Sequence, residues 1–174
     1  MIQPGLPTQP DLPGLFATLK RLCGSDALVL DPTALVAARH DVYATGVQPL
    51  AILALREADT LGPAIAAITA QGLAVVPRGG GLSYTAGYVL PVGQAVLVDL
   101  SRLDRILAID PVNMTVTVEA GATWKAIHAA LAVHDLRLPF FGTFSGAGAT
   151  VGGGLSHGAL FFGSARYGSA ADIL

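Results

Sequence analysis

The residues best suited to chemistry in this 174-residue chain carry almost no side chain. Residues 77–83 read PRGGGLS, directly after an apolar run. Three consecutive glycines are costly to order, because glycine loses more backbone freedom on folding than any other residue. A phosphate needs donors, and unobstructed backbone N–H groups supply them in a fixed array. Gly79, Gly80 and Gly81 offer such groups, and Ser83 adds a hydroxyl. The competing reading is a flexible turn that needs positive φ. A second glycine-rich segment, FFGTFSGAGATVGGGLSHGALFFGSARYG, spans 140–168. It is too irregular for a strand and too rich in glycine for a comfortable helix. Two such loops in one small chain suggest that both line the same extended ligand.

The common nucleotide motifs fail letter by letter. G-x-G-x-x-G started at Gly79 meets Tyr84, and started at Gly152 it meets His157. Neither Lys20 nor Lys125 follows a glycine, so no P-loop exists. GLSHG (154–158) does fit the G-x-S-x-G elbow of serine hydrolases. That elbow needs a buried strand before it and an acid and a histidine after it. Here GAGATVGG precedes it, Asp172 is the sole later acid, and no histidine follows. The hydrolase alternative is therefore set aside. His128 and His134 lie six apart on an expected helix and point different ways, and His40 has no evident partner. No metal site is expected. His157, inside a glycine-rich loop, could touch a ligand or simply cap the loop.

The elements that must position these loops can be read from periodicity. A leader over 1–12 precedes a short helix at 13–22, and 31–42 reads as helical with Asp31 or Thr33 as its cap. PLAILAL (49–55) is a continuous apolar run, as for a strand buried on both faces. DTLGPAIAAITAQG (59–72) has Leu61, Ile65 and Ile68 at helical spacing, Asp59 or Thr60 as its cap, Pro63 in the first turn and Gly72 suited to the C′ position. LAVVP (73–77) is a second apolar run, and strand–helix–strand at this length reads as a parallel βαβ unit. PRGGGLS then falls at the carboxyl end of a parallel strand, where ligands bind in open α/β sheets. AVLVDL (95–100) reads as a third strand.

Beyond it the pattern changes. RILAI (105–109) and MTVTVE (114–119) flank DPVN, a type I turn with Pro111 at its second position. Met114, Val116 and Val118 alternate with Thr115, Thr117 and Glu119, which marks a half-buried antiparallel strand. Thr123 is placed to cap a helix over 124–134 carrying Trp124, Ile127 and Leu131 on one side. The expected fold is α+β: residues 1–40 as leader and helices, a parallel sublobe over 41–100, and a second sublobe with antiparallel strands over 101–174.

Composition narrows the class. Hydrophobic residues make up 52% of the chain, and charged ones only 13%, about half the usual share of roughly 25%. A net charge of −2 and a pI near 6.0 argue against nucleic acid as the main partner. Cys23 is the single cysteine, so no intrachain disulfide can form. No apolar run approaches the roughly 18 residues of a membrane span, and the proline-broken N-terminus does not read as a signal peptide. A soluble, cytoplasmic protein is expected.

Three stretches together carry a resemblance: AVVPRGGGLSYTAGY (74–88), LVDLSRLDRILAIDPVNMTVTVEAGATW (97–124) and ATVGGGLSHGALFFGSARYGSAADIL (149–174). In this order and spacing they resemble the FAD-binding domain of the p-cresol methylhydroxylase and vanillyl-alcohol oxidase flavoproteins (PCMH-type), most nearly the glycolate-oxidase-subunit-like enzymes. The resemblance implies that Pro77, Arg78, Gly79, Gly80, Gly81, Leu82 and Ser83 wrap the FAD pyrophosphate through main-chain N–H groups. It implies that Ser145, Gly146, Thr150, Val151, Gly152, Gly153, Ser156 and His157 line the flavin and its ribityl chain. Tyr167 and Gly168, in RYG, correspond to the element that closes over the cofactor. Many members attach FAD through a histidine of the first loop; Leu82 stands there, so that link is excluded and non-covalent FAD is expected. His157 is the formal candidate for a covalent link from the second loop.

The activity implied is that of a flavin-dependent oxidoreductase, in which an alcohol or 2-hydroxy acid passes a hydride to flavin N5. The catalytic base is not identifiable. In the family a large substrate-binding domain, on the same or a separate chain, follows the FAD domain. Residues 1–174 alone are therefore expected to be C-terminally incomplete and inactive. A non-catalytic remnant holding nucleotide weakly is the rival reading.

Overall fold

Apolar runs place the first sheet. In the computed structural model, which describes residues 9–90, 93–142 and 146–173, four strands form a sheet in the order β1 (Leu28–Val29), β2 (Ala51–Ala54), β4 (Ala95–Asp99), β3 (Ala74–Arg78). β2 (Ala51–Ala54) is buried along its whole length, and so is β4 (Ala95–Asp99) up to Val98. The two pair in parallel, Ala51 opposite Val96 and Ala54 opposite Asp99. Strands covered on both faces need no polar alternation, which is why both read as unbroken apolar runs. β3 (Ala74–Arg78) lies at one edge. Its Ala74 N–H donates to the Gln94 carbonyl, and the Leu100 N–H donates to the Arg78 carbonyl, so the two chains run parallel. Pro77 has no N–H to contribute to a ladder, and an edge strand tolerates that loss. The other edge is β1 (Leu28–Val29), antiparallel to β2 with Leu28 opposite Leu53. A two-residue strand has no periodicity to betray it, and none was expected here.

Helices cover this sheet. α1 (Leu12–Cys23) is capped by Asp11, whose carboxylate accepts from the Gly14 N–H, and it buries Leu15 and Leu19. α1 packs against α3 (Leu61–Ala70), which buries Ala64 and Ile68 and ends at Gly72 with φ +72°. A 3₁₀ turn, Ala58–Thr60, leads into α3 in place of the expected side-chain cap: Asp59 and Thr60 lie within it, and the Thr60 hydroxyl donates to the Glu57 carbonyl at 2.7 Å. α2 (Pro32–Ala37) is capped by Asp31 and ends five residues earlier than its sequence suggests. Leu35 and Ala38 join Ile52, Tyr88 and Leu97 in the core of this part.

A second core forms around β5 (Ile106–Asp110) and β6 (Thr115–Val118), an antiparallel pair with Ile109 opposite Val116. Asp110 accepts from the Val112 and Asn113 N–H groups and so fixes the turn. Met114 lies in that turn at φ +56°, 69% exposed, rather than on the apolar face of β6. α4 (Trp124–Ala132) starts at Thr123, whose hydroxyl accepts from the Ala126 N–H, and it buries Trp124, Ile127 and Leu131. Ile127 and Leu131 pack with Ile109, Val116 and Val118 of the hairpin.

The glycine-rich stretch after residue 140 is not all loop. α5 (Val151–Ser156) and α6 (Ser164–Tyr167) are short helices within it, and a 3₁₀ turn closes the chain at Ala170–Ile173. Glycine disfavours helix by about 1 kcal/mol per residue, yet three consecutive glycines sit in α5. Packing overrides propensity. A Cβ on Gly152 would stand 2.8 Å from the Ala120 Cβ, and one on Gly154 would stand 2.8 Å from the Phe161 ring and 3.0 Å from the Trp124 indole. By its internal contacts the chain divides into Met1–Pro77 with Ser83–Asp99, and Arg78–Leu82 with Leu100–Leu174. The five residues of the first glycine segment thus group with the hairpin, α4 and α5. The leader residues 1–8 lie outside the described residues.

Candidate functional site

The first glycine segment is shaped by the second. A Cβ on Gly80 would overlap the Gly148 carbonyl, and a Cβ on Gly79 would overlap the Thr150 hydroxyl. In return, a Cβ on Gly148 would stand 3.1 Å from Leu82 Cδ1. The two segments therefore meet backbone to backbone, about 70 residues apart in sequence. Positive φ enters at only one of the three positions: Gly81, at +70°, where a Cβ would stand 2.9 Å from Arg78 Nε. Close approach explains Gly79 and Gly80, and the left-handed turn explains Gly81.

The donors divide just as sharply. Among the described residues, the amides of Gly79 and Gly80 find no acceptor in the chain. The amides of the second segment do. Val151 N–H donates to the Ala122 carbonyl at 2.8 Å, and Gly152 N–H donates to the Ala120 carbonyl at 2.9 Å. Gly153 N–H reaches the Thr150 hydroxyl at 3.3 Å, and Gly154 N–H the Thr150 carbonyl at 3.0 Å. Thr150, only 3% exposed, also bridges to Thr123. The second segment thus contributes shape and support, and the first retains donors.

The remaining expected site residues separate. Ser83 belongs to the other unit, where its Oγ accepts from the Gly87 N–H at 2.9 Å and the Thr85 N–H at 3.3 Å. It also bonds the Asp41 carboxylate, which accepts the Tyr43, Ala44 and Ala86 N–H groups too. Partial burial works to raise the Asp41 pKa, but these hydrogen bonds outweigh it and hold the carboxyl below its ordinary range. Pro77 is exposed in β3. Gly146, at φ +64°, packs on Trp124, whereas Ser145 lies outside the described residues. Ser156 ends α5 with its hydroxyl donating to the Gly153 carbonyl at 2.9 Å. That is a helix C-terminus, not the strand-to-helix elbow a nucleophilic serine requires. His157 caps α5 and is exposed. Tyr167, 37% exposed, meets Phe140 edge to face with ring centres 6.4 Å apart, and Gly168 takes φ +83°.

Some contributors gave no signal of their own in the sequence. Trp124, 2% exposed, is the floor on which Gly142, Gly146 and Gly154 pack, and its ring stands 5.0 Å from that of Phe161. Its buried indole N–H has no acceptor among the described residues. Gly148 supplies the carbonyl against Gly80. Glu119, 8% exposed, accepts Arg105 Nη2 at 2.8 Å and the Arg105 N–H at 2.9 Å. The Arg105 guanidinium and its backbone N–H together hold the Glu119 carboxyl below its ordinary range. Alternation groups Glu119 with Thr115 and Thr117 on the polar face of the strand; the structure instead buries it just past β6, where Arg105 satisfies its carboxylate.

The chain is similar to known proteins. The sequence model of a family described as FAD binding domain matches residues 49–174. The chain is 32% identical over 102 residues to D-lactate dehydrogenase [cytochrome] 1, mitochondrial, of Saccharomyces cerevisiae, covering 57% of this chain and 17% of that protein. It is 33% identical over 122 residues to D-2-hydroxyglutarate dehydrogenase of Xanthomonas citri pv. viticola, covering 70% of this chain and 25% of that protein. The chain thus spans a quarter or less of each relative. Among solved structures, alkyldihydroxyacetonephosphate synthase superposes with a TM-score of 0.83 at 18% identity, over 97% of this chain and 36% of that one. p-Cresol methylhydroxylase with substrate bound superposes with a TM-score of 0.67 at 19% identity, over 86% and 30%. At such identities the likeness is one of fold: the PCMH type. No helix of the described residues is long and apolar enough to cross a membrane.

Proposed function

Since the chain belongs to the FAD-binding-domain family of flavin oxidoreductases, we propose that its two glycine segments hold one FAD, non-covalently, for an enzyme that oxidises an alcohol or 2-hydroxy acid. The observation that carries this reading is the pair of amides at Gly79 and Gly80, which find no acceptor among the described residues and sit on an accessible loop. A pyrophosphate is the acceptor such adjacent backbone donors suit, and the Arg78 side chain adds positive charge beside Gly81. Leu82, Gly148 and Thr150 fix the loop's shape. Gly146, Gly152 and Gly153 are proposed to line the rest of the cofactor through their backbone, because the Cβ side of each faces the chain's own Trp124, Ala120 or Thr150. Ser145, Ser156, His157, Tyr167 and Gly168 remain part of the proposed lining. Pro77, the next-to-last residue of β3, and Ser83, which anchors the loop's exit, flank the segment.

FAD, when bound, supplies the two-electron acceptor for the hydride leaving the carbinol carbon. This chain's residues bind and orient it. The 2-hydroxy acid reading rests on the two dehydrogenase relatives. Among the described residues no acid–base pair stands beside the glycine segments, so the group that takes the hydroxyl proton is proposed to come from outside residues 1–174.

The binding test is direct. The chain has a single tryptophan, Trp124, packed under α5, so FAD binding should quench its fluorescence by energy transfer. Riboflavin, which lacks the pyrophosphate, should bind at least about tenfold more weakly, the value of one charge-assisted hydrogen bond or more. Equal affinities would remove the pyrophosphate from the first segment. The substrate class is tested on protein captured from source cells with an antibody to this chain. Such material should reduce an acceptor dye with D-lactate or D-2-hydroxyglutarate and not with propionate or glutarate, which lack the hydroxyl. No reduction by any hydroxy acid or simple alcohol would reject the class.

A further inference from the structure

The second glycine segment owes its position to a turn that bears no glycine-rich motif of its own. Residues 119–122 form a tight turn in which the Ala122 N–H donates to the Glu119 carbonyl at 3.0 Å. Two carbonyls of this turn carry the start of α5: Ala120 accepts Gly152 N–H at 2.9 Å and Ala122 accepts Val151 N–H at 2.8 Å. The turn is itself tied back, with Gly121 N–H donating to the Leu103 carbonyl at 2.7 Å. At its head stands Glu119. Its carboxylate takes the Arg105 backbone N–H on one oxygen at 2.9 Å and the guanidinium Nε and Nη2 on the other at 3.1 and 2.8 Å. The Glu119 N–H returns to the Arg105 carbonyl at 2.9 Å. Four hydrogen bonds thus link two residues at the open end of the hairpin, where strand pairing would otherwise fray.

We propose that Arg105 and Glu119 are a positioning pair for the cofactor site: their clamp sets the 119–122 turn, and the turn sets the height and register of α5. The chain of contacts is contiguous: guanidinium, carboxylate, turn, Ala120 and Ala122 carbonyls, Val151 and Gly152 amides. A carboxylate 8% exposed does not tolerate loss of its partner, because its desolvation then goes uncompensated. Arg105 is the half-exposed member, its side chain at 53%, so it can be altered without opening a cavity. The clamp's link to FAD rests on the reading given above. Its link to α5 does not.

Amide hydrogen exchange on the full chain separates the two. In Arg105→Met, the Val151 and Gly152 amides should exchange at least about tenfold faster, while the Ile127 and Leu131 amides inside α4 hold their rates. FAD affinity should fall in step, and Arg105→Lys, which restores a charge-assisted donor without the fork, should recover part of both. If Arg105→Met fails to fold, Glu119→Gln, isosteric and still able to accept one bond, takes its place. Unchanged exchange at Val151 and Gly152 in the folded variant overturns the proposal. So does faster exchange with unchanged FAD affinity, which would leave the clamp a stabilising device only. If the unaltered protein does not bind FAD, the site reading fails, and the exchange rates alone then decide whether the clamp sets α5.

Discussion

A glycine can be required for two unrelated reasons, and PRGGGLS contains both. Gly80 is required by what stands opposite, a backbone carbonyl that cannot swing away as a side chain would. Gly81 is required by its own dihedral. The two predict different failures. Gly80→Ala forces Gly148 to shift and should destabilise the protein by about 1–3 kcal/mol, the usual range for overpacking, with loss of FAD binding. Gly81→Ala should cost about 1–2 kcal/mol from the left-handed turn. Gly62, in α3 with nothing within 4 Å of a Cβ, is the control: Gly62→Ala should leave FAD affinity alone and add up to about 1 kcal/mol of stability. Thermal melts and FAD titrations of the three read these out. A Gly80→Ala protein as stable as the parent would show that the segments are not pressed together. The importance of the glycines was legible in the sequence, but the reason was only half so. Composition names a position without a side chain and cannot say whether a ligand or another stretch of backbone fills the space. The attachment question is also settled at single residues: acid precipitation of the FAD-loaded protein should release all the flavin into the supernatant, and His157→Ala should change nothing. Flavin retained in the pellet and lost in His157→Ala would make that histidine the link.

Elements with their own periodicity were readable, and those imposed by neighbours were not. β2, β4, the β5–β6 hairpin, α3 and the capped α4 all follow from apolar spacing plus a cap or turn residue. α5 does not, because VGGGLS has poor helix propensity and exists through Thr150, Ala120, Trp124 and Phe161. β1 is too short to have a pattern at all. Such an element should be fragile at its cap: Thr150→Ala removes the acceptor for Gly153 N–H and should cost about 1 kcal/mol, seen as earlier melting of the Val151–Ser156 amides in exchange. The hairpin clamp carries a pH signature. Glu119 titrates below its ordinary value in the folded chain. Its contribution is therefore complete above the unfolded carboxylate pKa of about 4.3 and is lost as pH falls through the depressed folded value. Melting temperature should drop through this acid window in the parent, and drop less in Arg105→Met. Parallel acid limbs in the two proteins would show that the pair does not contribute.

For the molecule as a whole, cofactor and fold should be linked through mass action. At a hundredfold excess over Kd, FAD should stabilise the folded chain by about 2.7 kcal/mol. For a chain of this size that corresponds to a rise of about 5–10 °C in melting temperature. Riboflavin at the same concentration should give a smaller rise, and AMP separates the adenine contribution. The low charged fraction of 13% was visible from composition. The exposed apolar side chains it leaves, such as Val112 at 91% and Phe162 at 86%, could only be located once the fold was known.

The seat of Gly80 has a consequence for the order of events during synthesis. The carbonyl and hydroxyl that shape the first glycine segment belong to Gly148 and Thr150, so a ribosome finishes β3 and then makes some 70 further residues before that segment has its mould. Translation at about 5–20 residues per second puts this delay at several seconds. Nascent chains stalled before residue 148 should therefore capture no FAD however long they wait, and capture should begin only once the codons for α5 have been read and its residues have cleared the exit tunnel.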